Sequence, residues 1–141
     1  MTCIRRLLAA LVMLTSLIST AHAQLVIIVS AQSPIQTLSK QQVSNIFLGR
    51  AHAYPDGRPA VPIDLQNGTP LRDEFSERIH GISSSQLHAY WSRMIFTGKG
   101  NPPRQAVPPQ VAVKLTAANS QVISYVHRGW VDNSVKVILM P

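Results

Sequence analysis

Hydrophobic and polar residues form alternating blocks along residues 24–141, and these blocks predict strands and helices in turn. Residues 25–29 form an unbroken apolar, mostly β-branched run, which is typical of a strand buried on both faces. Shorter apolar patterns predict three further strands, at residues 61–65, 122–126 and 135–140. Because helical segments separate most of these strands, the sequence predicts one α/β domain with a mixed sheet flanked by helices.

Two predicted helices begin with the pattern Ser-x-x-Gln, which is the form of a capping box. The first starts after Ser39, continues with apolar residues on one helical face, and is predicted to end at Gly49. The second starts after Ser83, and its apolar residues recur at helical spacing, which predicts an amphipathic helix. These apolar residues are Leu87, Tyr90, Trp91, Met94 and Ile95.

Another helix is predicted to begin at the junction Gly68-Thr69-Pro70. Thr69 is a residue type that caps helices, and proline fits the first helical position because the missing N–H is unpaired there anyway. This helix is predicted to end at Gly81. A short helix is also predicted over residues 111–118, after Pro108-Pro109.

Residues 1–23 have the order of a cleaved secretory signal. Arg5 and Arg6 form a basic start, an apolar run covers residues 7–18, and small residues follow up to Ala23. The run is too short for a membrane-spanning helix, which needs about 20 residues. We therefore expect cleavage after Ala23 and a periplasmic protein made of one domain, residues 24–141.

Removing the predicted signal changes the charge and the cysteine count. Arg5 and Arg6 leave, so the formal net charge falls from +7 to +5, and Cys3, the only cysteine, leaves as well. The domain therefore has no disulfide, no thiolate nucleophile and no cysteine-ligated metal. Its lysines and arginines are scattered rather than clustered, so they predict a solubilising surface and no nucleic-acid partner.

The sequence contains no pattern that predicts catalysis. The histidines lack the spacing of metal ligands, and no carboxylate accompanies them in a metal-binding pattern. The G-x-S-x-G pattern of a nucleophilic serine is absent, and the carboxylates form no recognisable acid–base pair. We therefore predict a non-enzymatic protein without a metal or cofactor.

The Gly68-Thr69 junction is the main candidate for binding an anion. A helix start carries unpaired N–H groups and partial positive charge, and Arg72, one turn later, has the guanidinium fork that suits an oxyanion. The alternative is that Thr69 only caps the helix and Arg72 is solvated, and spacing alone favours this alternative. Ser39, at another helix start, is a weaker candidate of the same kind. Lys99 and Arg104 are secondary candidates, because they lie in and just after the loop that follows the Ser83 helix.

Several segments resemble one family, the PstS-like phosphate-binding proteins of ABC importers. Residues 38–49 resemble the family pattern "L-[ST]-x-x-Q-[LV]-x-x-I-F-x-G", and residues 68–75 fall in the place of "G-S-G-T-R-x-x-F". Residues 122–126 resemble the family strand "A-I-G-Y-V". Residues 90–98 and 102–104 are similar to segments of the small stand-alone members of the group.

The resemblance implies a type II periplasmic-binding-protein fold, of which residues 24–141 supply roughly one lobe. It implies an exported protein that binds phosphate or a similar oxyanion and works with an ABC permease or another envelope protein. It also implies that Thr69 stands in the place of the serine of the anion loop, and that Pro70 replaces a glycine there. A second hypothesis is an interaction protein built from half of such a fold, which acts as a homodimer or with an envelope partner.

Overall fold

The computed structural model describes residues 24–106 and 108–141, so the predicted signal at residues 1–23 lies outside the described residues. The strands are β1 (Leu25–Ser30), β2 (Val61–Leu65), β3 (Arg104–Ala106), β4 (Val122–His127) and β5 (Val135–Leu139). The helices are α1 (Lys40–Phe47), α2 (Pro70–Phe75), α3 (Ser84–Phe96) and α4 (Val111–Ala118). Within these two ranges, no helix has both the length and the apolar character needed to cross a membrane.

The five strands form one mixed sheet in the order β3-β2-β4-β1-β5. Strand β1 pairs antiparallel with β4 and β5, whereas β2 pairs parallel with β3 and β4. All six residues of β1 are buried, which agrees with its continuous apolar sequence. The predicted α/β class with a mixed sheet and flanking helices is therefore confirmed.

Three aromatic rings join the helices to the sheet at the centre of the core. Phe75 of α2 stacks on Tyr125 of β4, with ring centroids 3.9 Å apart, and Phe47 of α1 lies 4.8 Å from the Phe75 ring. All three side chains are buried. Because each ring comes from a different element, this cluster sets the positions of α1 and α2 on the sheet.

The helix ends lie where the cap residues predicted them. Ser39 and Ser83 both form capping boxes, in which the serine hydroxyl accepts a hydrogen bond from the backbone N–H three residues later. Gly49 and Gly81, which follow α1 and the helical segment after α2, both have a φ of 71°. A side chain would be strained in this left-handed conformation, so glycine ends these helices at low cost.

Four features of the structure differ from the sequence-based prediction. Strand β3 was not predicted, because its three residues have little β-propensity and pair only along one edge of the sheet. Helix α2 continues directly into a π-helical segment, Ser76–His80. The apolar stripe of α3 is only partly buried, because Leu87 and Trp91 are enclosed whereas 53% of Ile95 is exposed. A short 3₁₀ segment, Arg128–Trp130, also follows β4.

The π-helical segment ends at a half-buried histidine. His80 Nδ1 lies 2.8 Å from the Ser44 hydroxyl, and the His80 ring packs against Phe75. Burial and, to a smaller extent, the positive charges of Arg50 and Arg72 together lower the pKa of His80 from 6.5 to about 4. The folded protein therefore holds His80 neutral at pH 7.

Acid is expected to destabilise the fold through His80. Since the folded-state pKa is depressed, the unfolded chain binds the proton first as pH falls from about 6.5 towards 4, and stability decreases across that window by about 2–3 kcal/mol. Chemical denaturation at pH 7 and pH 4 measures the loss, which His80→Gln should largely remove. The exposed His88→Gln variant is the matched control and should keep it. Equal acid sensitivity in the wild type and His80→Gln would contradict the assignment.

Candidate functional site

A cleft lies at the carboxyl end of β2, between the β2–α2 loop, α3 and the segment before β3. It consists of two adjoining pockets of about 350 Å³ and 170 Å³, which share Asn67, Arg72 and His88 in their walls. Gly68, Asp73, Ser84 and Ser85 complete the first pocket. Trp91, Ser92, Ile95, Pro102 and Gln105 complete the second. The carboxyl ends of strands are the usual place for ligands in open α/β sheets.

The loop between β2 and α2 is a tight turn around Gly68. Gly68 has a φ of 84°, and the Thr69 N–H donates to the Gln66 carbonyl at 3.2 Å. The Thr69 hydroxyl donates to the same carbonyl and makes no capping hydrogen bond, so the prediction that its side chain caps α2 is wrong. Pro70 does occupy the first helical position, as predicted. The turn therefore uses up the Thr69 hydroxyl that the sequence assigned to the helix start or to an anion.

Arg72 is buried rather than solvated, and it lies between the cleft and the sheet. Only 7% of the residue is exposed, and its Nε lies 3.4 Å from Oδ2 of Asp64 in β2. That Nε makes no hydrogen bond within the described residues, so the contact is an ion pair without hydrogen-bond geometry. Because Arg72 also lines both pockets, the ion pair holds its guanidinium at the cleft wall.

Asp64 is held in turn by two neighbours. The Tyr125 hydroxyl donates a hydrogen bond to Asp64 Oδ1, and the Leu65 N–H donates to the same oxygen at 2.8 Å. Burial raises the pKa of Asp64, while the charge of Arg72 and these hydrogen bonds oppose the shift. Asp64, Arg72 and Tyr125 thus form a connected polar network that reaches from the core to the cleft.

The structure brings together only part of the predicted site. Gly68 and Arg72 line the cleft. Ser39 does not, and its hydroxyl is occupied by the capping bond from the Gln42 N–H at 3.1 Å. Lys99 is an exposed residue of the loop after α3, and Arg104 lines a different pocket, next to Trp91. Hence Ser39, Lys99 and Arg104 do not belong to the cleft.

Several cleft residues were missed by sequence reasoning. Asn67, Ser84, Ser85 and His88 supply hydroxyl, amide and imidazole groups around Arg72. Asp73 adds a carboxylate whose Oδ1 is buried without a hydrogen-bond partner in the described structure. Ser84 and Ser85 lie in the first turn of α3, and nothing in the sequence indicates that this turn faces the β2–α2 loop.

The described ranges contain no group of three or more His, Cys, Asp or Glu side chains placed to hold a metal ion. The cleft is instead lined by Arg72, by Asp73 and by several neutral polar side chains. Such a set suits a small polar ligand that both accepts and donates hydrogen bonds.

No protein-family model matches the chain, and no curated protein matches it. Solved structures do match. An ABC-type phosphate transport receptor from Vibrio cholerae aligns with a TM-score of 0.64 and 18% identity over 82% of this chain and 45% of its own. PstS from Borrelia burgdorferi aligns with a TM-score of 0.59 and 12% identity, over 82% and 46% of the two chains.

A protein from Clostridium perfringens, described as a phosphate ABC transporter substrate-binding protein and solved with bound phosphate, gives a TM-score of 0.61 at 19% identity. The alignment covers 82% of this chain and 44% of that one. The fold is therefore PstS-like, in that it matches part of these substrate-binding proteins. This chain spans less than half the length of these three structures.

Proposed function

We propose that this chain is an exported, non-enzymatic protein that binds phosphate or a similar oxyanion in the cleft at the end of β2. The observation that carries the proposal is the buried guanidinium of Arg72 at the cleft wall, held by Asp64. An arginine fixed in this way has little conformational freedom left to lose when it pairs with an oxyanion. The PstS-like fold and the names of the solved relatives support the same class of ligand.

The surrounding groups favour a protonated oxyanion. Asn67, Ser84 and Ser85 supply neutral donors, while the Asp73 carboxylate, which lines the same pocket, only accepts hydrogen bonds when it is ionised. Phosphate carries at least one proton near neutral pH and can donate it to this carboxylate, whereas sulfate has none to donate. We therefore propose phosphate as the preferred ligand, with Gly68 and Thr69 shaping the turn beside it.

Arg72→Lys is expected to weaken phosphate binding by about 5- to 20-fold, as measured by isothermal titration calorimetry. Lysine keeps a positive charge beside Asp64, so the fold is retained, but it lacks the planar fork that pairs with two oxygens at once. The wild-type protein should bind phosphate more tightly than sulfate, because only phosphate has a proton to donate to the Asp73 carboxylate.

Arg104→Lys is the matched control, because Arg104 is exposed and lines a different pocket. It should leave the phosphate affinity unchanged. Absence of binding heat with millimolar phosphate would refute the proposed function. An equal loss of phosphate affinity in both variants would show that Arg72 is not a phosphate contact.

The proposed cellular role is delivery of the oxyanion to an ABC permease or another envelope protein in the periplasm. Two observations support it. Residues 1–23 have the pattern of an export signal, and the solved relatives are described as parts of phosphate transport systems.

A second function, self-pairing or pairing with an envelope protein, is favoured by the end of α3. Phe96 is 93% exposed and Ile95, which also borders the cleft, is 53% exposed. Large apolar side chains in such positions are often covered by a partner. In this second proposal, the partner is another copy of the chain.

Phe96→Ser is expected to shift a dimer towards monomer by about tenfold in dissociation constant, as measured by light scattering over a concentration series. Met140, of which 53% is exposed, lies elsewhere, and Met140→Ser is the matched control that should leave association unchanged. A wild-type protein that stays monomeric at all concentrations would exclude self-pairing.

A further inference from the structure

A second pocket lies on another part of the domain, between α1, the π-helical segment and α3. It has a volume of about 440 Å³ and shares no lining residue with the cleft at the end of β2. This volume falls within the range of small-molecule sites, about 300–1,000 Å³. Ile79 and His80 of the π-helical segment form part of its wall, and π-helical turns occur frequently at functional sites.

The charged side chains that line this second pocket are all positive. Arg50 and Arg93 both line it, and no aspartate or glutamate is among its lining residues. Neither arginine forms an ion pair with a carboxylate in residues 24–106 and 108–141. A negatively charged ligand is therefore favoured here.

The rest of the lining is apolar or already hydrogen-bonded. Ile82 and the Tyr90 ring are half-buried and supply apolar surface, whereas Leu48 and Ile79 lie buried behind them. The Tyr90 hydroxyl donates to the Leu48 carbonyl at 2.7 Å, which fixes the ring, and Arg50 Cζ lies 5.8 Å from the centre of that ring. The Ser44 hydroxyl is bonded to His80. A small inorganic ion would leave this apolar surface in contact with water, whereas a ligand with an apolar body would cover it.

We propose that this second pocket binds a small organic carboxylate, whose carboxylate group pairs with Arg50 and Arg93 while its apolar body packs on Ile82 and the Tyr90 ring. Arginine pairs with a carboxylate through two parallel hydrogen bonds, which gives the geometry as well as the charge preference. The site is separate from the proposed phosphate cleft and does not depend on phosphate binding there.

The test is an NMR titration of the isotope-labelled domain, residues 24–141, with benzoate and with benzamide, which has the same shape without the charge. Benzoate is expected to shift the resonances of Ile82 and Tyr90 saturably in the millimolar range, and benzamide is expected to bind at least about tenfold more weakly. Arg50→Gln and Arg93→Gln should each weaken benzoate binding by about fivefold or more.

Lys114→Gln is the matched control, because Lys114 is an exposed residue of α4 that does not line the pocket and its loss changes the net charge by the same amount. It should leave benzoate binding unchanged. Three results would overturn the proposal: equal binding of benzoate and benzamide, equal weakening by Lys114→Gln, or shifts confined to Asn67, Gly68 and their neighbours. The wild-type titration locates the site even where a variant folds poorly.

Discussion

Replacing Asp64 by alanine is expected to lower the free energy of unfolding by about 3–5 kcal/mol. Asp64 is 5% exposed and faces Arg72, which is 7% exposed, so the substitution leaves a positive charge in the interior without its partner. It also removes the acceptor of the Tyr125 hydroxyl and of the Leu65 N–H. Urea denaturation followed by circular dichroism measures the loss at pH 7.

A double variant distinguishes the cost of the unpaired charge from the cost of the cavity. Asp64→Leu combined with Arg72→Met replaces both charges with apolar groups, and it should be more stable than Asp64→Ala because no buried charge lacks a partner. A loss below about 1 kcal/mol in Asp64→Ala would show that Arg72 reaches solvent once Asp64 is removed.

This network also determines how Arg72 must be tested as a ligand contact. A change to alanine would leave the buried Asp64 carboxylate without its cation, so any loss of phosphate binding would be mixed with a loss of folding. Lysine keeps the positive charge next to Asp64 and lacks only the planar guanidinium group that pairs with two oxygens. The same residue thus connects the stability of the β2 strand to the chemistry proposed for the cleft.

The features that sequence predicted well are those fixed by neighbours along the chain. Ser39 and Ser83 cap helices through a residue three positions later, and Gly49 and Gly81 end helical segments through their own backbone conformation. The apolar composition of β1 is by itself enough to predict a buried strand. Local chemistry of this kind is visible in any single sequence. The order of these elements predicts the α/β class, and the resemblance to family motifs implies the PstS-like fold.

The cleft could not be predicted in the same way, because its contacts join distant parts of the chain. Asp64 is separated from Tyr125 by 61 positions, and only the pairing of β2 with β4 brings the two side chains together. Prediction also failed over a shorter distance at Thr69, because its hydroxyl donates to the Gln66 carbonyl and does not cap the helix. Asp64 nevertheless carried a signal: it is a lone charged residue in an otherwise apolar strand, and such residues need a buried partner.

Phe75→Ala is expected to destabilise the fold by about 3–5 kcal/mol. Phe75 is 1% exposed and stacks on Tyr125 at 3.9 Å with the rings 6° from parallel, so its loss opens a cavity between α2 and the sheet. The matched control is Phe96→Ala, compared at a protein concentration at which the wild type is monomeric; it removes the same ring from a position that is 93% exposed and should change stability by less than about 0.5 kcal/mol. Denaturant unfolding of both variants measures the difference, and similar losses in the two would contradict the assigned core.

Since Tyr125 also holds Asp64, Phe75→Ala should lower the phosphate affinity as well, whereas Phe96→Ala should not.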